Sequence, residues 1–235
     1  MRADEAKAEG KTLRHRQRWV PYSRISRNLQ RAVLAAEDGA FFEHEGVDYA
    51  ELRKAVEDAI AKGEELRGAS TLTQQLAKNL YLSPSRDPLR KVRELIITRR
   101  LEANLSKTRI FEIYLNVVEW GDGIWGAEAA ARAHFGVPAS ALTREQSALM
   151  AGALINPIRY SPSNPPARLR RRQQIILARM NRYDPPAAEP VVTTPAEPSS
   201  PAEASPDNPL PEEPLAPVVP PPEIPENSPP PDPAA

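Results

Sequence analysis

The sequence predicts an all-α, mainly helical domain followed by a long acidic tail, and three observations carry that reading. Apolar residues recur at helical spacing between residues 19 and 183, helix start signals precede most of those runs, and no stretch shows the alternation of a half-buried strand. Proline is also segregated: 19 of the 27 lie from Asp184 onward, where no Lys or Arg occurs. Three segments follow, a polar N-terminal stretch (1–18), a folded domain (19–183) and a tail (184–235). The tail, made of Pro, Ala, Glu and Ser, has too little apolar surface to offset its ordering entropy and is expected to be disordered. Its 10 acids leave the body 21 acids against all 31 bases, a net charge of about +10 behind the formal zero of the whole chain. Such a body suits an anionic partner.

The helices take their boundaries from caps. Ser26 caps a helix running to Ala36. Asp48 with Glu51 opens one that Gly63 closes, and Thr71 with Gln74 opens another reaching about Tyr81. Pro88 suits the first turn of a helix extending to Asn104. Ser106 heads the next, with Ile110, Ile113, Tyr114 and Val117 on one face. An Ala-rich helix spans Gly126 to about His134, Thr143 with Gln146 opens one reaching Asn156, and a basic helix runs from Pro166 to Arg182. Glycines 121, 123 and 126 connect the middle elements, and Trp120 and Trp125 among them either line a groove or pack a loop.

Composition excludes some classes. There is no cysteine, hence no disulfide and no thiolate metal site. No run reaches the 18 or more apolar residues of a membrane span. The start, MRADEAKAEGKTLRHRQRW, lacks the apolar core of a signal peptide.

Three segments have the residues for chemistry. Glu37-Asp38 at a helix end, followed by Phe41, His44 and Gly46, is a carboxylate pair in which a dry pocket raises one pKa while hydrogen bonds hold its neighbour ionised. That division produces a general base; a polar helix end entering a turn has the same composition. Gly68, Ser70, Thr71, Thr73, Gln74, Gln75, Lys78 and Asn79 place free N–H groups at a helix start, with Gln74, Gln75 and Lys78 at same-face spacing for a sugar or phosphate. Arg86, Arg90, Lys91 and Arg93 surround Glu94, with Glu102 two turns on, as either a surface ion-pair ladder or a pyrophosphate site. The stretch from Lys107 to Asn116 reads mainly as core.

In order and spacing these segments resemble the motifs of glycosyltransferase family 51, the peptidoglycan glycosyltransferases. E-D-x-x-F-x-x-H-x-G stands at Glu37 to Gly46, G-x-S-T-x-T-Q-Q-x-x-K-N at Gly68 to Asn79, R-K-x-x-E at Arg90 to Glu94, and K-x-x-I-x-x-x-Y-L-N at Lys107 to Asn116. The run from Val118 to Glu128 looks like the proteobacterial monofunctional branch. No serine-x-x-lysine or lysine-threonine-glycine pattern follows Asn181, so no transpeptidase domain is expected.

The resemblance implies a lysozyme-like helical fold and polymerisation of lipid II into glycan strands by inverting transfer to the 4-hydroxyl of the acceptor sugar. It implies Glu37 as general base and Glu94 as the second carboxylate, near the donor pyrophosphate. Lys78, Arg86, Arg90 and Lys91 become the electrostatic clamp, and Asp38, Ser70, Thr71, Gln74, Gln75 and Asn79 complete the substrate site. A divalent cation, Mg2+ or Mn2+, fits the chemistry, held through pyrophosphate near Glu94; no organic cofactor is implied. The partners implied are lipid II, the nascent strand, the membrane surface and other cell-wall synthesis proteins, not nucleic acid. The place implied is the periplasmic face of the inner membrane. Members of this branch have an N-terminal membrane helix, whereas this chain begins with charged residues; either the start is internal, the segment was removed, or the chain relies on its surface for attachment. By the same resemblance residues 48–67 face the membrane, although Leu52, Val56 and Ile60 beside Arg53, Lys54 and Lys62 also suit packing on the core. The competing readings are a muramidase or lytic transglycosylase, which has no need of the cations from Lys78 to Arg93, and a non-catalytic precursor-binding scaffold.

Overall fold

The computed structural model describes residues 15–63, 69–82 and 89–187. Eight α-helices lie among them: α1 (Arg27–Glu37), α2 (Tyr49–Lys62), α3 (Leu72–Tyr81), α4 (Leu89–Asn104), α5 (Lys107–Val117), α6 (Ala127–Phe135), α7 (Arg144–Ala153) and α8 (Ala167–Arg179). The mainly helical class predicted from the sequence is the observed one. Pro88, Arg86, Gly68 and the tail from residue 188 lie outside the described residues.

Side-chain caps start five of the helices. Ser26 accepts from the Asn28 N–H at 3.2 Å, Asp48 from Glu51 at 2.8 Å and Ser106 from Arg109 at 3.3 Å. Thr71 with Gln74 and Thr143 with Gln146 form reciprocal capping boxes. Each such contact satisfies an N–H that the helix itself leaves open and contributes about 1 kcal/mol. Two helices end earlier than their apolar patterns suggest. α7 stops at Ala153 and passes into turns, because Pro157 restricts Asn156 and cannot donate. α8 stops at Arg179, and residues Met180–Arg182 tighten into a 3-10 turn.

The sequence suggested no strand, yet a small sheet is present. β1 (Arg16–Gln17) runs parallel to β3 (Ile124–Trp125), which is antiparallel to β2 (Glu119–Gly121) with an irregular register. Strands of two or three residues are too short to display a period of two. The sheet is fastened by Asn116, whose Oδ1 accepts from the Val20 N–H at 2.9 Å and whose Nδ2 donates to the Val20 carbonyl at 2.9 Å. Trp120 belongs to the packed interior, with its Nε1 directed at the Leu115 carbonyl at 3.4 Å.

The core gathers Leu29 and Val33 of α1, Leu72 and Leu76 of α3, and Ile110, Phe111 and Leu115 of α5, with Met150 of α7 and Ile176 of α8. Phe41, just after α1, packs against Phe42, Phe111 and His44. Two helices depart from this scheme. α2 buries no residue, and Ile60 is 77% exposed. α4 has Leu89, Val92, Leu95 and Ile96 exposed while it buries Glu94 and Thr98.

The turn between α1 and α2 is held against α4 at Gly46. Its φ of +84° is a left-handed conformation, and a Cβ there would lie 2.6 Å from Thr98 Cγ2 and 2.9 Å from Glu102 Cγ. Gly46→Ala should therefore destabilise the fold by about 2–4 kcal/mol, combining the left-handed backbone with overpacking. Chemical denaturation checks this, with Gly63→Ala as the control for a left-handed glycine in open space, where nothing lies within 4 Å of the added carbon.

Candidate active site

Glu37 and Asp38 end α1, and successive residues of a helix point in different directions, so the two carboxylates have separate surroundings. Asp38 faces the N-terminus of α3. Its Oδ2 accepts from the Leu72 N–H at 2.9 Å, and His44 Nε2 lies 3.1 and 3.2 Å from its two oxygens. The His44 tautomer follows from the other ring nitrogen. Nδ1 accepts from the Gly46 N–H at 3.1 Å, so a neutral ring carries its proton on Nε2 and donates to Asp38. Thr71 Oγ1 donates to the Gly46 carbonyl at 2.7 Å and closes the circuit. The free helix-start N–H group expected to receive an anionic substrate is thus taken, at Leu72, by the protein's own carboxylate.

Glu37 has two donors. Gln75 Nε2 of α3 reaches Oε2 at 3.1 Å, and Arg172 Nη2 of α8 reaches Oε1 at 3.2 Å while also donating to the Ala36 carbonyl at 3.2 Å. Behind Gln75, the fully buried Tyr114 of α5 donates its hydroxyl to Gln75 Oε1 at 3.0 Å. The Glu37 side chain is only 14% exposed. Burial raises its pKa above the ordinary carboxylate value, and the bonds from Gln75 and Arg172 and the Arg172 charge oppose the rise without cancelling it; Asp38 adds to it. Burial also raises the Tyr114 pKa, with Glu37 and Asp38 adding to the effect, so this hydroxyl stays protonated and able to donate. A carboxylate whose pKa is raised by burial, yet which two donors hold in place, is suited to accept a proton.

The second acid is on α4, which packs beside α3. Glu94 is buried, Arg90 Nη1 lies 3.1 Å from its Oε2, and Lys91 Nζ bonds its Oε1. Further along α4, Glu102 accepts from Thr73 Oγ1 at 2.5 Å and Lys107 Nζ at 2.8 Å, and the Lys107 ammonium sits 4.4 Å from the Phe41 ring centroid. Ser70, Lys78 and Asn79 are exposed, and Lys78 forms no ion pair among the described residues. Gln74 is turned inward and uses Oε1 in the cap of α3, so it shares no exposed face with Gln75 and Lys78. Arg86 lies outside the described residues.

Neither acidic group suits a resident metal. Ligand atoms of Asp38, His44 and Asp48 come within 4.8 Å of one another, but both His44 nitrogens are engaged, Asp38 accepts two donors and Asp48 caps α2. At Glu94 each oxygen already faces a cation. Arg172 and the Tyr114 link to Gln75 escaped the sequence reading. Arg172 sits in the run Arg168–Arg172, which reads as a basic face, and Tyr114 sits at a core position. The one available hint was Tyr114's place in the fourth motif.

The raised pKa sets the sign of Glu37's effect on stability. A carboxyl with a higher pKa in the folded state favours folding below its unfolded value of 4.5, and that advantage is lost as pH rises through the folded value. At neutral pH the ionised group therefore opposes folding. Glu37→Gln should raise the thermal midpoint at neutral pH, by roughly 2–4 °C per kcal/mol recovered, and the gain should vanish below about pH 4.5. Thermal unfolding of both proteins across pH measures it.

The transglycosylase family model matches residues 5–181. A biosynthetic peptidoglycan transglycosylase of Janthinobacterium sp. (strain Marseille) is 56% identical over 169 residues, 72% of each chain. The proteins of that name from Dechloromonas aromatica (strain RCB) and Herminiimonas arsenicoxydans are each 51% identical, over 73% and 74% of this chain and 74% of theirs. With a family model spanning most of its length and relatives at this identity, the chain belongs to the transglycosylase family.

Proposed function

We propose that this glycosyltransferase polymerises lipid II into glycan strands, with Glu37 as the general base. The observation that carries the reading is the environment of Glu37, a mostly buried carboxylate with a raised pKa between Gln75 and Arg172. In the proposed step the 4-hydroxyl oxygen of the acceptor sugar attacks the anomeric carbon of the donor chain. Glu37 takes the hydroxyl proton, the new C–O bond forms, and the bond to the lipid pyrophosphate breaks with its electron pair leaving on the pyrophosphate. Single displacement inverts the anomeric centre. Pyrophosphate departs without needing a proton, so the leaving side requires fixed positive charge more than an acid. Lys78, Arg90 and Lys91 supply it, with Arg86 as a further member of the clamp. Glu94 holds Arg90 and Lys91 in place from its buried position on α4. A divalent cation, Mg2+ or Mn2+, enters as a companion of the pyrophosphate, as part of the substrate. A glycan-cleaving enzyme would have no use for this cluster.

Glu37→Gln should lower polymerisation by ~10²–10⁴-fold, the usual contribution of a general base. Lys78→Ala should instead weaken binding of a pyrophosphate-bearing donor analogue. The two readouts are polymer formed from lipid II and affinity for the analogue. Wild-type turnover in the first variant would remove the base assignment, and unchanged affinity in the second would remove Lys78 from the clamp.

The polyprenyl chain of such a substrate places the reaction at a bilayer, on the periplasmic face of the inner membrane in this proposal. Among the described residues no helix is long and apolar enough to cross a membrane. The inverted burial of α4, with Leu89, Val92, Leu95 and Ile96 outward, and the exposed Val56 and Ile60 of α2 support contact with a lipid surface. Arg99 of α4 ties the two helices by donating to Tyr49 Oη at 3.0 Å. The chain should bind anionic vesicles at low salt, with release on added salt as screening removes the attraction. Co-sedimentation across ionic strength tests this, and absence of binding at low salt would count against attachment by charge.

A further inference from the structure

Among the buried polar groups that the mechanism leaves unused is the hydroxyl of Tyr114, one side chain away from Glu37. We propose that Tyr114 is a positioning residue for Glu37, which acts by locking the Gln75 side-chain amide with its NH2 group toward the carboxylate. The inference rests on the reading of Glu37 as the general base and adds a residue to it.

The geometry makes the amide's orientation matter. Gln75 stands among three groups, with Nε2 3.1 Å from Glu37 Oε2 and 3.4 Å from the Ser70 carbonyl, and Oε1 3.0 Å from the Tyr114 hydroxyl. An amide in this orientation offers Glu37 only a donor, which suits the ionised carboxylate. A protonated Glu37 would need the opposite, an acceptor for its own O–H, and a flip of the amide would provide one. Tyr114 opposes that flip. Its ring is fully buried, and Gln75 is the only hydrogen-bond partner of its hydroxyl among the described residues. Turning Oε1 away would strand the phenolic hydrogen in the core, where an unmade hydrogen bond is expensive. The amide is therefore fixed in the state that stabilises the base in its working form and denies the protonated form a partner.

The other groups facing Glu37 do not have this selectivity. Arg172 of α8 favours the anion by charge and by a donor that has no alternative orientation, and Asp38 of α1 disfavours it by repulsion. His44 is turned to Asp38, and Lys107 to Glu102 and the Phe41 ring. Of the groups around Glu37, Gln75 alone can switch between donor and acceptor, and Tyr114, with the Ser70 carbonyl accepting from the same NH2 group, sets which it is.

The test is the pH dependence of polymerisation by Tyr114→Phe, which keeps the ring and removes the hydroxyl. The acid limb of the rate profile should move up by about one pH unit, the size of one hydrogen bond's preference for the ionised form. The loss of rate should grow as pH falls through the limb. In a Gln75→Met background, where no amide remains to be locked, Tyr114→Phe should shift the limb no further. A limb that stays in place in Tyr114→Phe, with a uniform loss of rate and a lowered thermal midpoint, would make Tyr114 a packing residue and overturn the proposal. So would a shift of equal size in the Gln75→Met background. Glu37→Gln is the control for the underlying reading. If it retained wild-type turnover and the same limb, the base assignment would fall and the positioning role with it, a result distinct from an unmoved limb in Tyr114→Phe alone.

Discussion

The arrangement depends on a carboxylate that does no chemistry in the proposed step. Asp38 joins the end of α1 to the start of α3 by accepting the Leu72 N–H, and it holds the following turn through His44. The contact places an anion at a helix N-terminus, where the exposed N–H groups and the helix dipole both favour it. Once α3 is fixed there, its fourth residue, Gln75, faces Glu37. The same turn sets Gly46 against α4, so the helix bearing Glu94 is referred to the same point. The buried and fully engaged neighbour acts as the joint, and the less constrained Glu37 remains available.

That division gives two adjacent acids different partners. Burial raises the Glu37 pKa, and Phe41 packs with Phe42, Phe111 and His44. Asp38 receives a backbone N–H and an imidazole held in one tautomer by Gly46. Glu37 receives a guanidinium and an amide, and its pKa still rises. Burial of an acid without full compensation opposes folding, which is the usual condition of a group kept for reactivity.

Most helix starts were legible because a cap is a local event: Ser26, Asp48, Thr71, Ser106 and Thr143 each act within three residues of chain. The sheet was not, because β1 pairs with β3 across more than a hundred residues and neither strand is long enough to have a pattern. The motif acids could be picked out by their order along the chain. Arg172 could not, since it meets Glu37 across 135 positions from within a run of arginines whose members look alike until the fold selects one. Tyr114 was read as core correctly in terms of burial, but periodicity reports where a side chain points and not what its hydroxyl touches. Gln74 and Gln75 show the same limit. Adjacent and identical in type, one is used in the cap and the other in the site.

The inverted burial of α4 brings the two halves of the proposal together. A helix that turns leucine, valine and isoleucine outward while it buries a glutamate is unfavourable in water on both counts, since apolar surface stays hydrated and a charge is desolvated. The glutamate is made tolerable by Arg90 and Lys91 on its own helix. Those pairings leave Arg90 and Lys91 partly exposed, with side chains 29% and 57% accessible, where they can meet an anion from outside. A lipid surface offers the outward face what water does not, and it is also where a lipid-linked pyrophosphate would be found. On this argument the apolar face and the buried acid of α4 serve one requirement. In the proposed arrangement the helix brings cations to the level of the headgroups while its own carboxylate keeps them ordered before the substrate arrives.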